Sequence, residues 1–426
     1  MSAPLSIDLL ISGTAEVVTP LGQAARTGSE LGDVAVVPRG SVAVQGGRIL
    51  EVGPSAQLLE KYDPSTTLDA CGGTVLPGLV DAHTHPVFMG TRENEFEARA
   101  AGKTYVDISA EGGGIRSSLE GVRASSEEVL LRALMDRAQR FLELGTTTVE
   151  AKTGYGLTLK DELKGLRVIQ RASEGQPLDF VATCLAAHAY PPEYADRREQ
   201  FQTLIAEEIW PAVAQQGIAR YADIFTEQQA FDLDSSRHIM VAAREAGLAL
   251  RMHVDQLTPL GGAQLAAELG ASSADHLEHV SSEGIEALAQ AGVVATLSPL
   301  VPLFLRESTE APARSLVSEG VAVALSTDFN PGSCYCMSMF EVLSWASLRY
   351  GFSAAEALTA GSLNAAASLG LAGEIGSLEA GKRADILITD LPNHMHLTYE
   401  LGRNPVTAVV KDGRLVWRSP LSGVQS

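Results

Sequence analysis

The stretch PGLVDAHTHP, from Pro77 to Pro86, closes an apolar run that begins at Val75. A short run of this kind, bounded by Gly and Pro, reads as a buried strand. Its last part, His83-Thr84-His85, sets two imidazoles at i and i+2, which face the same way on an extended chain. The segment is therefore a strand that presents two metal-capable side chains at one end of a sheet. Its neighbours in that sheet follow from runs of the same texture elsewhere in the chain.

Seven more such runs follow Val75–Val80: Thr147–Ala151, Phe180–Ala186, Tyr221–Phe225, Ala249–Val254, Ser273–Leu277, Val293–Leu297 and Ala322–Ser326. Helical patterns separate them. Ser125 to Glu128 offers a capping box ahead of VLLRALMDRAQRFLEL, and Ser353 to Glu356 offers another ahead of ALTAGSLNAAASLGL. The first gap holds an insertion rich in Gly and charge, Phe88 to Ser118. Alternating strands and helices imply parallel strands with right-handed crossovers, and eight of them predict an α/β fold, a closed TIM-like (β/α)8 barrel. An open, doubly wound sheet is the alternative.

The two ends read differently. Up to about Leu68, and again after about Gly381, short alternating runs such as SVAVQGGRILEVG, ADILITD and TAVVKDGRLVW are punctuated by turns, and Lys411-Asp-Gly-Arg414 signals a hairpin. The expectation is a small β-sandwich domain formed by the N- and C-terminal segments, residues 1–72 and 381–426, around a barrel of residues 73–380.

The chain has 426 residues, 45% hydrophobic and 20% charged, enough apolar material for a large core. With 32 basic against 52 acidic side chains the net charge is −20, which argues against a nucleic-acid backbone as partner. An anionic ligand would need its own local cation. The four cysteines lack CxxC spacing and read as reduced thiols. The N-terminus has no basic leader, and the longest mainly apolar stretch, Val293 to Leu305, is far short of the roughly 20 residues of a membrane span. A soluble, cytoplasmic protein without a membrane partner is expected.

Six of the eight runs end in a notable polar group: His83 and His85, Lys152 with Tyr155, His188, His253, His276, and Asp328. In a barrel of parallel strands those ends form the active face. Three imidazoles and a carboxylate, from His83, His85, His253 and Asp328, suit Zn2+ or Fe2+ with a position open to water.

The run PGLVDAHTHP resembles the first strand of the amidohydrolase superfamily, and EIGSLEAGKRADILITD resembles its return into the small β domain. RENEFEARAAGKTYVDISAEGGGI, EAKTGYGL, AAHAYPPEY, HVDQLTPLGGAQLA and STDFNPGS narrow the resemblance to the imidazolonepropionase family, over nearly the whole chain. The resemblance implies hydrolysis of 4-imidazolone-5-propanoate to N-formimino-L-glutamate in histidine degradation. It implies one divalent metal on His83, His85, His253 and Asp328. It also implies substrate contacts from Arg92, Tyr155, His188 and Ser333, with Asn330 and Gly332 on the ring or its product, and a homodimer. Arg92 would be the local cation, since a guanidinium pairs with a carboxylate through two parallel hydrogen bonds.

One position departs from the family. A Glu often stands three residues after the third metal histidine, and here it is Gln256, which can bind the ring but cannot take a proton. His276 and Asp328 are left as the acid–base and oxyanion-stabilising candidates. Lys152 ends the second run, not the fourth where binuclear members carry a bridging lysine, so it reads as a structural charge beside a single metal. Another cyclic amidohydrolase or aminohydrolase with the same metal set is the competing enzyme reading, and a silent barrel scaffold is the non-enzymatic one.

Overall fold

Eight parallel strands form one sheet in sequence order: β1 (Leu79–Thr84), β2 (Thr146–Lys152), β3 (Asp179–Ala187), β4 (Tyr221–Thr226), β5 (Ala249–Val254), β6 (Ser273–His276), β7 (Val294–Leu297) and β8 (Val323–Leu325). The structure is a computed structural model that describes residues 4–103 and 113–420. The stretch 104–112 of the expected insertion and of its motif lies outside the described residues. Closure of the barrel is made just past the last strand. Thr84 bridges Phe329 in parallel, the His85 N–H donates to the Phe329 carbonyl at 2.9 Å, and the Asp328 N–H donates to the His83 carbonyl at 3.0 Å. The seam of the barrel therefore runs through the residues expected to hold a metal.

Helices between the strands bury one stripe each against the sheet. In Glu127–Glu143 the buried residues Leu130, Leu134, Ala138 and Phe141 recur at helical spacing. The N-cap of this helix is Ser126, whose hydroxyl accepts from the Val129 N–H, one residue later than the capping box expected at Ser125. Ser125 is used in ending the preceding helix, Ile115–Ala124, where its hydroxyl donates to the Gly121 carbonyl at 2.7 Å. The Ser353–Glu356 box is present with both of its bonds.

Two smaller sheets hold the chain ends. One has six strands in the order Arg414–Arg418, Val406–Lys411, Ile386–Thr389, Thr74–Pro77, Glu16–Pro20, Val34–Pro38, so it draws on both termini. The other is built from Arg48–Pro54, Gly40–Gln45, Leu5–Ser12 and Tyr62–Asp69. Leu9, Ile11, Val42 and Val44 from the four-stranded sheet share one apolar cluster with Val17, Val75, Ile386, Ile388 and Val410 from the six-stranded sheet, as in a sandwich. The Lys411–Arg414 hairpin turns on Asp412 and Gly413, both with positive φ (49° and 74°), as a two-residue hairpin loop of this kind requires.

The first apolar run needs correction. Val75–Val80 is not one strand: Thr74–Pro77 pairs in the six-stranded sheet, and β1 starts at Leu79. The small sheets therefore extend past residue 72, and the division falls at Gly78. There a Cβ would come within 2.2 Å of the Thr147 hydroxyl oxygen, so only glycine lets the chain cross from one layer to the other. Both halves are buried, which is why hydrophobicity alone does not separate them.

Candidate metal centre at the C-terminal end of the barrel

The strand ends bring His83, His85, His253, His276 and Asp328 together, all nearly excluded from solvent. The Nε2 of His85 lies 3.3 Å from His83 Nε2 and 3.4 Å from His253 Nε2. Asp328 Oδ1 is 3.3 Å from His85 Nε2 and 3.5 Å from His83 Nε2, and it has no hydrogen-bond partner among the described residues. His83, His276 and Asp328 also form a compact trio of possible ligands.

The far side of two of these rings is held by carboxylates. His83 Nδ1 lies 2.6 Å from Asp275 Oδ2, and His253 Nδ1 lies 3.1 Å from Asp223. A carboxylate accepts, so both rings carry their proton on Nδ1 and turn the Nε2 lone pair toward the centre. Burial, reinforced by the positive charge of Lys152 and the other rings, holds His83 well below the usual imidazole range. Burial likewise depresses His85, with His253 and Lys152 adding to the effect. Converging lone pairs beside a bare carboxylate oxygen repel one another unless a cation lies between them. An ion about 2.0–2.1 Å from each of four tetrahedral ligands needs ligand atoms about 3.3–3.4 Å apart. His83, His85 and Asp328 match that spacing at 3.3–3.5 Å, and His253 joins them at 3.4 Å from His85, so the donor set fits a divalent metal.

Around this centre, the strand ends supply further groups. His188 stacks on His85 with ring centroids 5.2 Å apart, and its Nδ1 is 3.0 Å from the Gly154 carbonyl. Tyr155, buried, packs 5.4 Å from His188. His276 ends β6 with a positive φ of 82°, and burial lowers its pKa to about 4 despite the attraction of Asp328. Gln256 is half-buried in the loop after β5.

Asn330 and Ser333 organise the loop after β8. The Asn330 carboxamide accepts from the Gly332 and Ser333 N–H groups, both at 2.7 Å, and donates to the Asp328 carbonyl at 2.7 Å and the Ser333 hydroxyl at 2.6 Å. The Ser333 hydroxyl in turn donates to Asp328 Oδ2 at 3.3 Å. Asn330 thus spends its side chain on shaping the loop. Arg92, ahead of the helix Glu93–Ala100, pairs with Glu95 at 2.6 Å and packs against Gly332, where a Cβ would lie 2.2 Å from Arg92 Nη1. A cavity of about 400 Å³, lined by Arg92, Arg99, Phe96, Phe304, Gly332 and Tyr335, opens beside that contact.

With this geometry in view, the chain can be set beside known proteins. A model of the Amidohydrolase family matches residues 74–416. The imidazolonepropionase of Symbiobacterium thermophilum is 45% identical over 414 residues, 96% of this chain and 97% of that protein. That of Myxococcus xanthus is 45% identical over 421 residues, 98% of this chain and 99% of that one. The chain belongs to the imidazolonepropionase family of amidohydrolases. As a member it is a hydrolase acting on carbon–nitrogen bonds. A solved adenosine deaminase from Xanthomonas campestris with bound zinc shares the fold at a TM-score of 0.72 and 21% identity, with 97% of this chain and 93% of that chain covered.

Among residues that the sequence does not single out, Asp275 and Asp223 stand out as the groups behind the rings of His83 and His253. Arg99, which donates to the Gly332 carbonyl at 2.8 Å, and Asp81, which accepts from the Thr327 N–H and hydroxyl at 3.0 and 2.5 Å, belong with them. A signal for the first pair was present: Glu150, Lys152, Asp223, Arg251 and Asp275 are ionisable residues inside apolar strands, where charge is tolerated only when paired.

Proposed function

We propose that this protein hydrolyses the cyclic amide C–N bond of 4-imidazolone-5-propanoate to N-formimino-L-glutamate, with one divalent ion on His83, His85, His253 and Asp328. The observation that carries the reading is the trio of His83 Nε2, His85 Nε2 and Asp328 Oδ1 at 3.3–3.5 Å from one another on the seam of the barrel, with His253 Nε2 3.4 Å from His85 Nε2. The nitrogen-rich set with one carboxylate suits Zn2+ or Fe2+. When bound, such an ion supplies a water acidified towards a pKa of about 7 and a Lewis acid for the ring carbonyl.

The protein's own groups do the rest. Arg92, beside the cavity, takes the propionate, and Tyr155 and His188 border the ring from the opposite side. Gln256 hydrogen-bonds the ring. Asn330 holds Gly332 and Ser333 so that this loop walls the substrate and its product. His276, neutral at physiological pH because burial lowers it to about 4, serves as an N–H donor to the developing oxyanion rather than as an acid. Asp328 receives the proton of the attacking water at Oδ2, the oxygen held by Ser333. It returns that proton to the ring nitrogen as the new C–O bond forms and the C–N bond breaks.

The reading places the protein in the cytoplasm as a homodimer acting on a small molecule, with no nucleic acid or membrane involved. Four free cysteines agree with a reducing compartment, and exposed Met395, Tyr399 and Leu401 offer apolar surface for self-association. No helix among the described residues is long and apolar enough to cross a membrane. The test is hydrolysis of freshly generated imidazolone propionate by enzyme of known metal content. Turnover that tracks about one ion per chain, and that drops sharply for an imidazolone lacking the propionate arm, is expected. Metal-loaded enzyme that leaves the compound intact defeats the proposal.

A further inference from the structure

Beneath the histidines, five ionisable side chains with no exposed surface form one network: Glu150 and Lys152 on β2, Asp223 on β4, Arg251 on β5 and Asp275 on β6. We propose that Lys152 is a positioning residue of the metal centre, its ammonium tying together the two carboxylates that orient His253 and His83. Lys152 Nζ lies 2.7 Å from Asp223 Oδ2 and 3.7 Å from Asp275 Oδ2, with Glu150 Oε1 at 2.9 Å. The shared atoms matter most. Asp275 Oδ2 is the same oxygen that lies 2.6 Å from His83 Nδ1, and Asp223 Oδ2 lies 3.1 Å from His253 Nδ1. One ammonium therefore faces, through two carboxylate oxygens, the rings at the ends of β1 and β5.

Arg251 does not duplicate this arrangement. It reaches Asp275 Oδ2 at 3.4 Å and Glu150 at 3.7 Å, but its other bonds go to the Ala82 and Ser368 carbonyls. Burying carboxylates is costly unless cations face them, and three carboxylates here face two cations. Although burial works against both charges, the neighbouring carboxylates keep Lys152 protonated, and His253 and Lys152 hold Asp223 ionised. Removing the ammonium leaves Asp223 and Asp275 under-neutralised, so they shift away from each other and turn the imidazoles with them. The Nε2 atoms then lose the common focus that an ion requires.

The inference rests on the metal site of the proposed function but not on its substrate, so it is tested without turnover. Affinity is measured by competition with a chromophoric chelator, and coordination geometry by the absorption spectrum of the Co2+-loaded protein. Wild type, Lys152→Met, Asp275→Asn and the double variant are compared, with circular dichroism to confirm folding. Lys152→Met is expected to weaken metal binding by about 10–100-fold and to alter the Co2+ bands. Because both changes act on one oxygen, the double variant should lose less than the product of the two single losses. A folded Lys152→Met with wild-type affinity and spectrum, or losses that simply multiply, overturns the proposal. Lys152→Gln, which keeps a donor but not the charge, is the second variant should the methionine form fail to fold, and wild-type affinity there overturns it equally. A wild type that binds no divalent ion overturns the metal site itself, whereas a metal-binding wild type with unaffected variants overturns only the role of Lys152.

Discussion

His83 and Arg92 are near neighbours in sequence, yet the structure secures them by different means. His83 ends a barrel strand, with Asp275 at 2.6 Å behind it and a buried charge network behind that. Arg92 stands at the start of a short helix in the insertion and is placed by Glu95 and by the absence of a side chain at Gly332. The histidine is fixed by the register of the strands and by charges that cannot reach water. The arginine is fixed by loop against loop. The floor of the site is thus built as part of the barrel, and the rim as an attachment to it. Damage to the floor should remove the metal, whereas damage to the rim should spare the metal and impair recognition.

The strongest test of this contrast is at the floor. His253→Ala removes one of three imidazoles and leaves Asp223 facing Lys152 alone. Metal content should fall far below wild type, and kcat/KM should drop by about 10³-fold or more. Elemental analysis and steady-state kinetics on one preparation check both. Full metal content with full activity would show that His253 is not a ligand.

At the rim the effect should be smaller and of another kind. Arg92→Ala should reduce kcat/KM for the propionate-bearing substrate by about 10²-fold, while metal content stays at the wild-type level. Arg92→Lys keeps the charge but not the fork, and a loss of about tenfold is expected. An imidazolone without the arm should be processed equally by wild type and Arg92→Ala; if wild type favours neither compound, Arg92 does not read the carboxylate. Gly332→Ala is milder still. The added methyl has to displace a guanidinium that lies 2.2 Å from the Cβ position, and the arginine can yield partway. A loss of about tenfold or less, seen mainly in KM, is expected from such partial displacement. Loss of metal in this variant would mean that rim and floor are not separable.

The same contrast governs what was legible in the sequence. Seven of the eight barrel strands could be read as whole runs, because parallel strands buried on both faces leave largely apolar runs, and the first run spans the end of one sheet and the start of the barrel. The group His83, His85, His253, His276 and Asp328 is expected from that register, and the structure sets its members in two trios that share His83. Gly78 was harder, since the chain changes sheets there without any change in burial. The roles of Asp223 and Asp275 are not legible in the sequence, because only the register of β4 and β6 sets them behind the rings of His253 and His83. Arg99 and the Asn330 loop depend on contacts between the insertion and the loop after β8, which no local pattern encodes.

The smallest predicted effect comes from a carboxyl that has no cation behind it. Glu278 lies two residues after His276 in the chain, is buried, and has an Oε2 atom with no hydrogen-bond partner among the described residues. Burial, with a lesser push from the charge of Asp328, raises its pKa to about 8. The floor carboxylates Asp223 and Asp275 are instead held below the usual range against the same burial, Asp223 by His253 and Lys152, Asp275 by Arg251 and Lys152. Since the folded protein holds the Glu278 proton more tightly than the unfolded chain does, this group's contribution is complete below the unfolded value of about 4.3 and is lost as pH rises through about 8. Glu278→Gln removes the titration and keeps the shape. With metal chelated from both proteins, the variant should match or slightly trail wild type at the acid end of that window and overtake it towards the alkaline end. As a tenfold difference in proton affinity corresponds to about 1.4 kcal/mol, a relative gain of at least about 1 kcal/mol across the window is expected. Denaturant melts at a series of pH values measure it. A stability difference that does not change with pH would mean that Glu278 is already neutralised by a partner in solution, and that the buried charges of this barrel are paired at the rim as thoroughly as they are at its floor.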